Sequence, residues 1–162
     1  MIRIVLSLLL NFVLVNLAFG QSPMPDSMEH EHKMIQIPES ALQPRLDVRL
    51  YKDTQSGFNL VIETQNFELE PPELAGDNPV NVLEGHAHVF INGDKVYRAY
   101  GRFIHLPANL FVEGVNQVMV SLNDHDHNTW SRGAKMVMAT MVIDTRKTPF
   151  QQHHFAVFSV KN

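Results

Sequence analysis

The chain has 162 residues, of which 44% are hydrophobic, and it carries no cysteine and a formal net charge of −4 at pH 7. The lack of cysteine excludes a disulfide framework and any thiolate metal site. The mildly acidic balance gives no electrostatic footprint for nucleic acid. The length suits one domain with a real core.

The first twenty residues are typical of a secretory signal peptide. Arg3 supplies the positive charge, residues 4–17 are mostly apolar, and Ala18-Phe19-Gly20 fits a small-x-small cleavage site. The apolar run is shorter than the roughly 20 residues that a spanning helix needs. We therefore expect cleavage before Gln21, no membrane span in the mature form, and a periplasmic or secreted protein. A retained N-terminal anchor is the alternative.

Residues 21–44 predict a flexible tail, because they are rich in proline and acidic groups and show little apolar periodicity. Thioether and imidazole ligands together suit Cu(I), so the tail is a candidate secondary metal site. The alternative is that residues 21–44 are a solvated linker whose methionines and histidines have no role. The candidate tail ligands are Met24, Met28, His30, His32 and Met34.

Residues 45–162 show the pattern of a β-sandwich domain. Apolar residues at every second position in 46–50 and 58–62 predict two strands joined by a polar turn. The proline-rich segment 70–79 predicts a loop between sheets or at an edge. Further strands are expected at 102–106, 115–122, 135–143 and 154–160, with 135–143 buried on both faces. About eight short strands and no convincing long helix predict an all-β, antiparallel sandwich.

The most informative stretch is the histidine pair His86 and His88, which runs into the hairpin signal Asn92-Gly93. The two-residue period of a strand sends both imidazoles to one face, where they can share an ion. An Asn-Gly turn predicts a return strand from Asp94. Pairing outward from the turn is expected to place these residues opposite one another: Phe90 and Lys95, Val89 and Val96, His88 and Tyr97, and His86 and Ala99.

Three further histidines could complete a metal site. His125 and His127 lie in a polar loop after the strand 115–122, and His105 ends the strand that follows the hairpin. Two histidines from one strand and one from a neighbour can hold Cu(II) or Zn(II), and Asp124 or Asp126 would fix a ring tautomer. The alternative is that these histidines serve packing and turn geometry. The candidate metal ligands are His86, His88, His105, His125 and His127.

Copper is the favoured ion, with zinc as the alternative. The methionine- and histidine-rich tail and the exported setting favour copper. The methionines of the β region also favour copper, although methionines in strands more often fill a core. They are Met119, Met136, Met138 and Met141.

Over about residues 80–145 the chain resembles a widespread group of bacterial exported immunoglobulin-like β-sandwich domains. The resemblance lies in these motifs: Glu84-Gly85-His86-Ala87-His88, the Asn-Gly turn, Tyr100-Gly101, His105-Leu106-Pro107, Gly114-x-Asn116 and Leu122-Asn123-x-x-x-His127. In plan the chain is also similar to small periplasmic copper-handling proteins of the cupredoxin-like and copper-resistance kinds. The resemblance implies an immunoglobulin-like or cupredoxin-like sandwich and a role in copper homeostasis. A blue-copper site needs a cysteine, so a copper site here would be built differently.

The sequence thus predicts a non-enzymatic, copper-binding protein that stores, buffers or delivers the ion, and delivery would require a protein partner. One alternative is an exported interaction module without metal. A metal-dependent enzyme ranks last, because no acid–base pair or nucleophile–histidine–carboxylate spacing stands out.

Overall fold

A computed structural model describes residues 33–76 and 78–160 of the chain. These residues form twelve strands and two short 3-10 helices, Pro72–Leu74 and Ala108–Leu110. Within the described ranges no helix is long and apolar enough to cross a membrane. The strands are β1 Met34–Gln36, β2 Arg45–Lys52, β3 Phe58–Gln65, β4 Phe67–Leu69, β5 Leu83–Ile91, β6 Asp94–Ala99, β7 Phe103–Leu106, β8 Val115–Asn123, β9 Thr129–Arg132, β10 Lys135–Met136, β11 Met138–Asp144 and β12 Gln152–Ala156. The all-β prediction is confirmed.

The strands form a three-stranded sheet and a larger one. The small sheet has the order β2-β3-β7, with antiparallel pairs throughout. In the large sheet β8 is central, because it pairs antiparallel with β5 on one side and β11 on the other. β6 continues the sheet beyond β5, and β12 continues it beyond β11. Two short pairs, β1 with β9 and β4 with β5, are parallel and depart from the predicted antiparallel plan.

The core follows from the period of two in each strand. Alternate residues of β2 and β3 are buried, as the sequence predicts, and so are alternate residues of β11 and of the first part of β8. In the middle of β5 and at the end of β8, consecutive residues are buried on both faces of the sheet. Burial of a large aliphatic side chain contributes about 1.5–3 kcal/mol relative to exposure. Met141 belongs to this core, as a methionine in a strand usually does. The main core residues are Leu46, Val48, Leu50, Phe58, Leu60, Ile62, Ala87, Val89, Ile91, Leu106, Val118, Val120, Leu122, Ala139, Met141 and Ile143.

The predicted hairpin is present, but the strand register that the sequence predicted is wrong beyond Phe90. Asn92 and Gly93 have φ angles of 53° and 96°, as the predicted turn requires. A register shift between Val89 and Phe90 leaves Val96 without an opposite residue, which is the signature of a β-bulge. The observed pairs are Ile91 with Asp94, Phe90 with Lys95, Val89 with Tyr97, His88 with Arg98, and Ala87 with Ala99. Ala99 is therefore a core residue rather than a neighbour of His86.

The described part of the predicted flexible tail is ordered against the domain. β1 pairs in parallel with β9, and the Ile37 amide donates to the Ser131 carbonyl at 2.9 Å. Ile37 is only 6% exposed and belongs to the core. Ile35 and Ile37 have strand spacing, but one such pair is too short a pattern to be distinguished from a tail in the sequence. Residues 21–32 lie outside the described ranges.

The last predicted strands also differ. The segment 135–143 divides at Val137 into β10 and β11. In β11 buried residues alternate with half-buried ones, so the prediction of burial on both faces is wrong. β12 covers Gln152–Ala156 rather than 154–160, and the chain then reaches the small sheet, where the Leu46 amide donates to the Phe158 carbonyl at 2.8 Å.

Candidate metal centre

Strand β5 presents His86 and His88 on the face of the large sheet that lies opposite the core. Their neighbours Ala87 and Val89 point into the core, so the period of two sends both imidazoles outward. The two histidines are nevertheless only 1% and 0% exposed. His127, from the loop between β8 and β9, lies against both, with ring centroids 4.8 Å from His86 and 5.3 Å from His88.

Three ring nitrogens converge at this point. Nε2 of His86 lies 2.9 Å from Nε2 of His88, and Nδ1 of His127 lies 3.2 Å and 3.1 Å from those two atoms. These three residues form a group that could hold a metal ion. The structure thus brings together three of the five histidines that the sequence proposes as ligands.

The separations fit one bound ion. With metal–nitrogen bonds of about 2.0–2.1 Å, two ligands at a right angle are about 2.9 Å apart and two at the tetrahedral angle are about 3.3 Å apart. The observed distances of 2.9, 3.1 and 3.2 Å fall within that interval. Three nitrogens at these separations could therefore be ligands of one metal ion.

Hydrogen bonding among the three nitrogens does not by itself explain the cluster. A neutral imidazole nitrogen either donates or accepts, never both. With three mutual contacts, at least one pair must join two donors or two acceptors, whichever tautomers are present. A cation at the centre satisfies all three lone pairs at once, so the donor chemistry favours a bound metal.

His86 is in the ligating, neutral form at neutral pH. Burial lowers its pKa from 6.5 to about 4, with the neighbouring His127 and Arg98 acting in the same direction. Metal binding requires an imidazole without a proton on the bound nitrogen. No proton needs to leave His86 when an ion binds near pH 7.

The loop that carries His127 is built around Asp124. The Asp124 carboxylate accepts the Asn128 amide at 2.7 Å and the Asn128 side-chain amide at 2.8 Å. The Asp124 carbonyl accepts the His127 amide at 3.1 Å. His127 itself has a φ of 70°, the left-handed region that few non-glycine residues adopt. Asp124 thus shapes the turn that carries His127.

Asn123, at the end of β8, holds the backbone of His127, a contact that the sequence analysis missed. Its Nδ2 donates to the His127 carbonyl at 3.2 Å and to Thr129 Oγ1 at 3.0 Å, and its Oδ1 accepts Ser121 Oγ at 2.9 Å. It is fully buried and lies opposite His86 in the β5–β8 ladder. The only local signal for this role is an asparagine that closes an apolar strand just before the histidine loop.

The remaining candidate ligands lie elsewhere. The His125 ring stacks near His86 with centroids 6.5 Å apart, but His125 is not in the converging group. His105 lies in the small sheet, where its Nδ1 contacts Asn59 Oδ1 at 3.2 Å. Met34 is 52% exposed on β1. The other tail candidates, Met24, Met28, His30 and His32, lie outside the described residues.

Comparison with known proteins adds no family to this picture. No family model, no curated protein and no solved structure matches the chain. What the fold and the site establish is an all-β sandwich with three neighbouring histidines that could hold a metal ion.

Proposed function

We propose that this chain is a copper-binding protein that holds Cu(II) through His86, His88 and His127, with zinc as the alternative ion. The observation that carries the proposal is the approach of three imidazole nitrogens to within 3.2 Å of one another. In keeping with its sequence, we propose that it stores, buffers or delivers the ion in the periplasm or outside the cell.

Ligand chemistry supports copper over the other divalent ions. Affinity at a nitrogen site rises along the first-row series to Cu(II) and falls again at Zn(II). The ligand set has no thiolate, because the chain has no cysteine, and imidazole suits both ions. Zinc fits the near-tetrahedral spacing equally well, so a direct comparison of the two affinities decides the metal.

The placement of the ligands supports a site that can exchange its ion. His86 and His88 are fixed on a central region of the sheet, whereas His127 is half-buried on a loop. A loop ligand can leave without disturbing the strands. In delivery, the ion would pass to a protein partner. The methionines and histidines of the tail would capture Cu(I). Both proposals are based on the sequence alone.

Metal titration of the full chain tests the proposal. Isothermal calorimetry with Cu(II) and Zn(II) should give one tight site, and the Cu(II) spin resonance spectrum should show coupling to imidazole nitrogen. His86→Ala, His88→Ala and His127→Ala should each weaken binding by about 100-fold or more, since even residues behind the ligands are worth 10–100-fold. His105→Ala is the matched control and should bind as the native chain does.

Two results would contradict the proposal. One is the absence of a tight site for either ion. The other is a site that survives in all three triad variants, which would place the ligands elsewhere.

A tail variant with alanine at the five candidate positions should lose Cu(I) capture and retain the Cu(II) site.

A further inference from the structure

A guanidinium lies beside the three-histidine centre. The β5–β6 register places Arg98 directly opposite His88, and paired residues on neighbouring strands present their side chains on the same face. Arg98 Nη1 donates to the Tyr100 hydroxyl at 3.2 Å, and the Tyr100 ring centroid lies 5.5 Å from that of His86. Arginine and tyrosine thus form a polar edge to the centre.

Arg98 has no acidic partner within the part of the chain that the structure describes. The ion pairs there involve other cations: Arg49, Arg102, Arg146 and His154. Arg98 is exposed, and one of its five N–H groups donates to Tyr100. A positive charge at this place opposes the loading of a bare cation, and an anion bound with the metal would remove that repulsion.

A metal ion held by three histidines would have a coordination position left for such an anion. Three protein ligands with an open fourth position are the pattern of zinc sites that bind water or substrate. The converging group contains the three histidines and no carboxylate within the described residues. Asp124, the acidic group of the same loop, uses both carboxylate oxygens on Asn128.

We propose that the metal-loaded centre binds a small carboxylate- or carbonate-type anion at its open position, held on the other side by the Arg98 guanidinium and the Tyr100 hydroxyl. This inference rests on the proposed function. It deepens that function by naming the exogenous ligand class of the same site. Bidentate contact from a guanidinium is the usual way in which proteins recognise a planar oxyanion.

Azide titration of the copper-loaded full chain provides the first test, because azide bound to Cu(II) gives a charge-transfer absorption band. Bicarbonate and acetate should then displace azide in competition. Arg98→Ala should weaken azide and bicarbonate by about tenfold or more, since a hydrogen bond to a charged group is lost. Tyr100→Phe, which removes only the hydroxyl, should have a smaller effect in the same direction.

Lys95→Ala is the matched control, because Lys95 lies on the same strand opposite Phe90 and its loss changes the net charge equally. It should leave the azide affinity unchanged. In anion-free buffer Arg98→Ala should bind Cu(II) at least as tightly as the native chain, which separates anion binding from assembly of the site.

The outcomes separate the two proposals. If the chain does not bind copper, the proposed function fails and this inference fails with it. If copper binds but azide gives no new band, or Arg98→Ala and Lys95→Ala behave alike, only the anion inference is overturned.

Discussion

The backbone carbonyl of Asn123 lies 2.1 Å from the point that a Cβ on Gly85 would occupy. β5 and β8 therefore approach more closely here than any side chain on Gly85 would permit. His86 follows Gly85 directly, and Asn123 holds the carbonyl of His127. The close approach of Gly85 and Asn123 thus links the backbone positions of two proposed ligands, His86 and His127.

Gly85→Ala should destabilise the fold and weaken metal binding. The added methyl group would clash with the Asn123 carbonyl, and the φ of 149° at Gly85 is itself unfavourable for alanine. We expect a loss of about 2–4 kcal/mol in the free energy of unfolding, measured by urea denaturation. Metal titration at a temperature where the variant remains folded should show a lower affinity.

Gly93→Ala is the control for the backbone angle alone. Gly93 has a φ of 96°, and a Cβ at this position would meet no atom of the described residues within 4 Å. We expect a loss of only about 1 kcal/mol and no change in metal affinity. Equal losses in the two variants would show that the close approach at Asn123 has no energetic importance.

Asn123→Ala should reduce both stability and metal affinity. It removes the donor to the His127 carbonyl and leaves buried partners without their hydrogen bonds, at a cost of about 1–3 kcal/mol. The left-handed conformation of His127 then loses a support, so the metal affinity should fall by about 10-fold or more. Calorimetric titration and urea denaturation measure the two effects.

Asn116→Ala is the matched control at the other end of β8. Asn116 is also buried, and its Nδ2 donates to the carbonyls of Val112 and Gly114. It should lose comparable stability and bind metal as the native chain does. If the two variants change metal affinity to the same extent, Asn123 has only a structural role.

Local sequence patterns predicted the scaffold and the shared face of two of the three converging histidines. Alternation located β2 and β3, and the strand period with the Asn-Gly turn placed His86 and His88 on one face. Both signals depend on neighbouring residues alone. They could not show that this outer face is buried, because the cover comes from a loop some forty positions further along the chain.

The identity of the third converging histidine depended on contacts that the sequence does not encode locally. The sequence did not distinguish among His105, His125 and His127 as partners of the pair. His127 joins the pair because Asp124 holds the turn and because His127 itself is left-handed. A one-residue bulge in β6 likewise decides that Arg98, rather than Tyr97, lies opposite His88. Neither the turn nor the bulge follows from hydrophobic periodicity.

Ile37→Ala should destabilise the domain, because the segment before residue 45 is part of the core. Ile37 is 6% exposed, and removal of a buried isoleucine side chain to alanine costs about 2–5 kcal/mol. Thermal and urea denaturation measure the change. Met34→Ala in the same segment is the control: Met34 is 52% exposed, so the loss should be under about 0.5 kcal/mol. A negligible loss in Ile37→Ala would restore the predicted boundary at Pro44.

The metal-free protein should lose stability as the pH falls below about 6.5. Burial lowers the pKa of His86 from 6.5 to about 4, so between these values the unfolded chain binds a proton that the folded chain does not. Above pH 6.5 neutral His86 leaves the free energy of unfolding unaffected by pH. As the pH falls from 6.5 towards 4, proton binding by the unfolded chain lowers this free energy, by up to about 3 kcal/mol. Urea denaturation at several pH values should show this slope. His86→Phe should flatten it, whereas His105→Ala, which alters an exposed histidine of the small sheet, should not. An unchanged slope in His86→Phe would mean that other groups govern the acid sensitivity of the fold.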